Sequence, residues 1–295
     1  MRRNGFWRGV AAALPVAFLA AWSASASAQS EDEESSVVPL EARSGLSGTL
    51  SNALLLRDEG GPETTLMTIF TASFAWTDAF STFVRVGSVV NSSPGLRDAT
   101  ELSNGAAGLA LELHVTKHLT LGGQSGATIP FGTGGGDAAS PGEVRAWVNC
   151  IDWDTMFAMN HVDVFNGLRM AYELSPFTLS VESVLHELLR VRGANNDPVG
   201  SGATITGTSA SLSYAVLPAL SLSTGLSETR VWNAPDFVRL DANSRADYFL
   251  SGAVSTTLKL HNAELRPALI YARALDPPLS TMGFQVIQLD FAFSL

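Results

Sequence analysis

Five histidines (His114, His118, His161, His186 and His261) and one cysteine, Cys150, are the side chains best suited to metal binding or nucleophilic attack. Spaced as they are, the histidines form no local metal motif. A single cysteine rules out an intramolecular disulfide and a cysteine-based zinc or iron–sulfur site. The glycine-rich run from Thr128 to Gly136 is no phosphate loop, since no Lys-Ser/Thr pair follows Gly136 and no helical pattern opens there. The richer constellation is ionic. Arg85, Glu112, His114, Asp163, Arg169, Glu173, Glu182, His186, Arg190, Arg192 and Lys259 fall on the polar side of alternating segments. Opposed charges lining a channel set a transverse field that orients polar solutes. The same charges, paired across neighbouring strands, would instead fill a narrow barrel and stabilise it. Both readings stay open at this point.

Those charges need elements to carry them. The chain has 295 residues, of which 46 % are apolar and only 16 % charged, against about 25 % charged in soluble domains. With 18 Lys+Arg against 28 Asp+Glu the net charge is −10, so a nucleic-acid partner is not expected, because phosphates call for a basic surface. Arg2, Arg3 and Arg8, an apolar run at 10–22 and Ala26-Ser27-Ala28 predict a signal peptide over 1–28. No cysteine follows the run, so it is not a lipoprotein signal. An acidic leader is expected over 29–43, and a β-barrel over 44–295.

After the leader, period-two alternation recurs in twelve segments: 44–56, 64–77, 80–90, 102–115, 119–131, 161–174, 177–192, 203–217, 220–232, 248–260, 264–275 and 284–295. The centre of the seventh, 184–190, also fits a helix. Tight links at 77–79, 116–118, 175–176, 218–219 and 261–263 alternate with longer polar ones at 57–63, 91–101, 132–160, 193–202, 233–247 and 276–283. A transmembrane barrel does this, with short periplasmic turns and long outer loops; a soluble sandwich has no reason to. The fold class is therefore all-β, an antiparallel up-and-down transmembrane barrel of about twelve strands.

The chain ends on the alternating Ile287, Leu289, Phe291, Phe293 and Leu295. This pattern resembles the assembly signal of Gram-negative outer-membrane barrels, although Leu295 stands where Phe is usual. The resemblance implies the barrel-assembly machinery and outer-membrane lipid as partners. The nine residues from Thr128 to Gly136 resemble the strand end and loop of outer-membrane channels of phenol-degradation meta pathways. That resemblance implies passage of small, rather hydrophobic compounds.

The link 132–160 is the longest, and its second half carries Val144, Trp147, Val148, Ile151, Trp153, Met156, Phe157 and Met159. So much apolar surface must pack, either inside the lumen as a constriction or as a hairpin extending the wall. Trp147, Asp152, Trp153 and Asp154 are the constriction candidates; the two carboxylates would set a negative rim favouring cations or neutral solutes. The expected function is a porin-like outer-membrane channel for an unspecified small-molecule solute, without catalysis, cofactor or metal. One alternative is a lipid-modifying barrel enzyme, which needs a Ser-His-acid set; no Gly-x-Ser-x-Gly is present, and the outward positions hold no His beside a Ser. The other is a structural or adhesive barrel.

Overall fold

The computed structural model describes residues 45–58, 64–92, 98–133, 155–158, 160–192, 202–233, 246–260, 263–277 and 279–295. The expected signal peptide and leader lie outside the described residues.

Fourteen strand segments follow one another: β1 Gly45–Leu56, β2 Thr64–Ala75, β3 Phe80–Ser92, β4 Ala99–Leu102, β5 Gly105–His114, β6 Leu119–Ile129, β7 His161–Leu174, β8 Phe177–Arg190, β9 Gly202–Leu217, β10 Leu220–Val231, β11 Ala246–Thr256, β12 Leu258–Leu260, β13 Ala263–Ala274 and β14 Gln285–Ser294. Among the described residues a single 3-10 turn, Thr155–Phe157, interrupts them. The segments make twelve wall strands. β4 and β5 both pair with β3 and are two pieces of one strand. β11 and β12 both pair with β13 and are likewise one. Each wall strand pairs antiparallel with its chain neighbours, and β1 closes on β14 from Ser47↔Ser294 to Leu56↔Gln285. Closure pairs the final strand on both sides.

The two breaks correct the continuous fourth and tenth strands expected from alternation. At the first, Asn104 leaves the ladder to hold the buried turn: its backbone N–H donates to Met156 O at 2.9 Å, and its side-chain amide donates to Ala158 O at 3.0 Å and His161 O at 3.1 Å. At the second, Thr257 N–H donates to Ala219 O at 2.9 Å, tying the strand to the adjacent turn. The helical reading of 184–190 gives way too. β8 pairs with β7 and β9 along its length, and its burial alternates residue by residue.

Outward positions form rows of exposed apolar side chains, from Phe74 at 37 % to Leu168 at 73 % exposure, a surface that also includes Leu50, Phe70, Val84 and Leu289. No soluble fold leaves so many strands' apolar face in water; hydrocarbon is the solvent that suits it.

The interior divides by height. Toward the long loops, inward side chains form an apolar core: Ala53, Leu55, Met67, Ile69, Val89, Leu188, Ile205, Phe249, Phe284 and, from the 3-10 turn, Phe157. Toward the short turns the interior is polar. The outward face meets one solvent along the apolar band, whereas the inward face meets the plug above and water below.

Candidate functional site

The polar half encloses a cavity of about 450 Å³ lined by Ser47, Thr49, Ser51, Thr71, Ser73 and Ser81 with Arg85, Glu112, Gln124, Arg169, Glu264 and Arg266. Short hydroxyl side chains on β1–β3 leave the space, and longer charged ones on β3, β5, β7 and β13 reach into it. Arg169 stands opposite Glu182 in the β7–β8 register, and Gln124 Nε2 donates to Glu182 Oε1 at 3.3 Å. Arg85 Nε donates to Thr71 Oγ1 at 3.3 Å. Across the lumen, Arg266 pairs with Glu264 on the same strand. Cations and carboxylates thus pair between neighbouring strands and along one strand of the chamber wall.

Two aromatic rings stand beside the chamber, one of them, Phe83, in its lining. Phe83 and Phe165 lie with ring centroids 6.1 Å apart. They rest on wall glycines: any side chain at Gly108 would collide with the Phe83 ring, and at Gly126 with the Phe165 ring. The glycines are there for close approach of ring to backbone. Phe165, Ala106, Val184 and Met156 pack together above.

Above these rings the turn is latched. Thr155 Oγ1 donates to Asp163 Oδ2 at 2.6 Å, and His186 Nδ1 lies 2.7 Å from the same oxygen. Thr128 Oγ1 accepts from Asp163 N–H at 2.8 Å. Asp163 is 1 % exposed and His186 7 %. The cluster does not have the layout of a hydrolytic triad. There, the base carries the acid on one ring nitrogen and the nucleophile on the other; here the Thr155 hydroxyl and the Asp163 carboxylate meet the same Nδ1. Its geometry suits holding Met156 and Phe157 inside the barrel.

The sequence-derived charges therefore separate into groups. Arg85, Glu112 and Arg169 line the main cavity, and Glu182 borders a side pocket of about 130 Å³ with Glu112, Gln124 and Arg169. His114 is exposed at the turn end, 3.8 Å from Glu112 and with Nδ1 3.0 Å from Thr120 Oγ1. Glu173 is exposed beside a turn, and Lys259 is exposed opposite Glu264 in register. Asp163 and His186 belong to the latch. Arg190 is half-buried at the loop end, and Arg192 donates to Gly132 O. Phe291 and Phe293 keep outward parity on β14, with the Phe293 ring lying over Gly48, and Leu295 is exposed just past the strand's end. Trp147, Asp152, Trp153 and Asp154 lie outside the described residues. Of the same link, residues 155–158 are buried within the barrel.

Glu264 and Arg266 were not among the candidates read from the sequence. Their signal was available, because they share parity with Ala268 and Ile270, opposite to Leu265 and Leu269. Buried Asp290 and Gln288, with Gln288 Nε2 donating to Asp290 Oδ1 at 2.7 Å, were missed for the same reason. They alternate with the outward row of Ile287, Leu289, Phe291 and Phe293.

No protein-family model matches the sequence, and no curated protein matches it. In structure the chain is similar to an outer-membrane channel from Pseudomonas putida F1, at 14 % identity and a TM-score of 0.56, covering 90 % of this chain and 99 % of that one. It is also similar to the NanC porin, at 8 % identity and a TM-score of 0.50, covering 83 % of this chain and 98 % of that one. The fold is that of an outer-membrane β-barrel.

Proposed function

We propose that this chain is an outer-membrane channel for the passive passage of small solutes, hydrophobic ones included. The observation that carries the reading is the stacking of two compartments in one closed barrel. A charged and hydroxylated chamber on the turn side lies directly beneath an apolar core that one short, side-chain-latched turn completes. A barrel that served only as a wall or an anchor would have no use for a wet chamber half its height. The solved structures named above are a channel and a porin, which supports the same reading.

In this account the chamber residues act by position. Arg85, Arg169 and Arg266 set positive potential against Glu112, Glu182 and Glu264, and a polar solute aligns its dipole between them. Phe83 and Phe165 then offer an apolar surface to whatever passes beyond. His114 and Glu173 at the turn-side mouth, with Lys259, contribute to the field at the periplasmic exit. Passage through the upper half requires the turn at 155–157 to move, since Phe157 is fully buried there. Delivery uses the expected signal peptide, cleaved after Ala28, and the barrel-assembly machinery reading the β14 terminus. The cluster at Asp163 supports no catalytic role, and neither a cofactor nor a metal enters the account.

The test is conductance of the purified, refolded chain in planar bilayers, paired with solute flux into loaded vesicles. Discrete channel openings that enlarge when Phe157 is replaced by Ala are the expected result. A folded barrel that conducts nothing in either form would sink the reading. Hydrolysis of labelled phospholipid by the same preparation would establish the enzyme alternative instead.

A further inference from the structure

The outer wall carries a groove that solute passage does not explain. It lies where β10, β11 and β13 meet and has a volume of about 580 Å³. Its floor is Gly252, which in register has Thr224 on one side and Tyr271 on the other. Gly252 points outward, and a Cβ built there would meet nothing closer than Ser223 O at 3.9 Å. One missing side chain thus leaves a dent in the lipid-facing row, flanked by exposed Leu250 and Tyr271. Arg273 closes its upper end, together with Ser280.

Two features say what fits. The first is height. Ten residues separate Arg273 from the start of β13 at Ala263; at about 3.3 Å per residue and a tilt of ~40° they climb ~25 Å, the height of a barrel's apolar band. The outward-facing Glu187 and Arg230 also sit ten residues above the turn-side ends of β8 and β10. Charge therefore enters the outer face at one common level, the headgroup level. The second is pairing. Arg230 is matched to Glu228 and Glu187 accepts from Thr204, whereas Arg273 is exposed and makes no hydrogen bond or ion pair among the described residues. The nearest carboxylate along the chain, Asp276, is taken up by the Tyr248 N–H at 2.9 Å. A lone guanidinium at headgroup depth, above an apolar dent, is complementary to a phosphate above an acyl chain.

We infer that this groove binds one membrane lipid with an anionic phosphate headgroup, its phosphate on Arg273 and one acyl chain over Gly252. The inference rests on the barrel's membrane setting and not on the passage of any solute. The experiment is native mass spectrometry of the full chain, refolded in detergent and titrated with phosphatidylglycerol. Boiled and unboiled samples are first compared on gels to confirm a folded barrel.

One retained phosphatidylglycerol is expected, bound about tenfold more weakly by Arg273→Gln. Gly252→Leu, which fills the dent, should weaken it similarly, while Arg230→Gln should not. Equal retention by the wild type and Arg273→Gln would overturn the site. So would displacement of the lipid by inorganic phosphate at matched concentration, which would leave an anion site without a chain groove. If the gel shift persists while lipid retention does not depend on Arg273, the barrel stands and the lipid site falls.

Discussion

Arg85, Arg169 and Arg266 on the chamber wall are balanced by Glu112, Glu182 and Glu264, so these six contribute no net charge. That balance makes single charge changes informative. Arg85→Glu turns the set net negative by two, and in a salt gradient its reversal potential should move toward cation selectivity. Arg85→Gln should move it about half as far, as expected for a field that sums charges in a low-dielectric wall. An unmoved potential in both variants would mean that ions bypass the chamber. Asp163 is a different kind of residue, because it accepts from Thr155 and His186 at once in a site closed to water. Asp163→Ala removes both contacts and should cost about 1–3 kcal/mol, the usual penalty for depriving buried polar groups of a partner. Urea titration of the folded barrel in vesicles measures it. These charges were legible one by one from parity along the strands. Their division into chamber and latch was not, since it depends on the height at which each strand begins.

At the scale of elements, the 3-10 turn at Thr155–Phe157 and the last strand carry the largest consequences. Phe157 packs among core residues from β1, β2, β8, β9 and β11. Phe157→Ala should cost about 3–5 kcal/mol in the same titration, as for other buried Phe truncations, and should also enlarge the single-channel conductance. β14 pairs with both β1 and β13. Removing residues 291–295 strips Leu50, Thr49, Gly48 and Ser47 of their partners and opens two edges at once. The truncated chain should be exported yet fail to reach the outer membrane, which cell fractionation would show. Element existence was readable from alternation, including all twelve wall strands. The breaks at Ser103-Asn104 and Thr257 were not, because a side-chain grip on a distant turn leaves no mark on local period.

Among the described residues the molecule is a closed wall with an apolar cluster toward the long loops and a charged, hydroxylated chamber toward the short turns. Closure pairs the backbone all round, so the folded protein should resist detergent and migrate differently on gels before and after boiling. Identical mobility would contradict the barrel at its root.

What the sequence by itself determined is everything the bilayer dictates: the outward rows, the count of crossings, the alternation of short and long links, and a last strand that must find a partner. One uniform solvent faces all those positions, so a simple period reports them. What only the tertiary structure decided is the interior. There Phe157 joins one apolar cluster with Phe249, Leu188 and Ala53, Asp163 meets His186, and Arg266 and Arg85 line one cavity. These partners are distant in sequence, the nearest pair 23 residues apart, and are brought together by shear and tilt. Which of them form a dry plug and which a wet chamber follows from curvature and register, which no local pattern encodes.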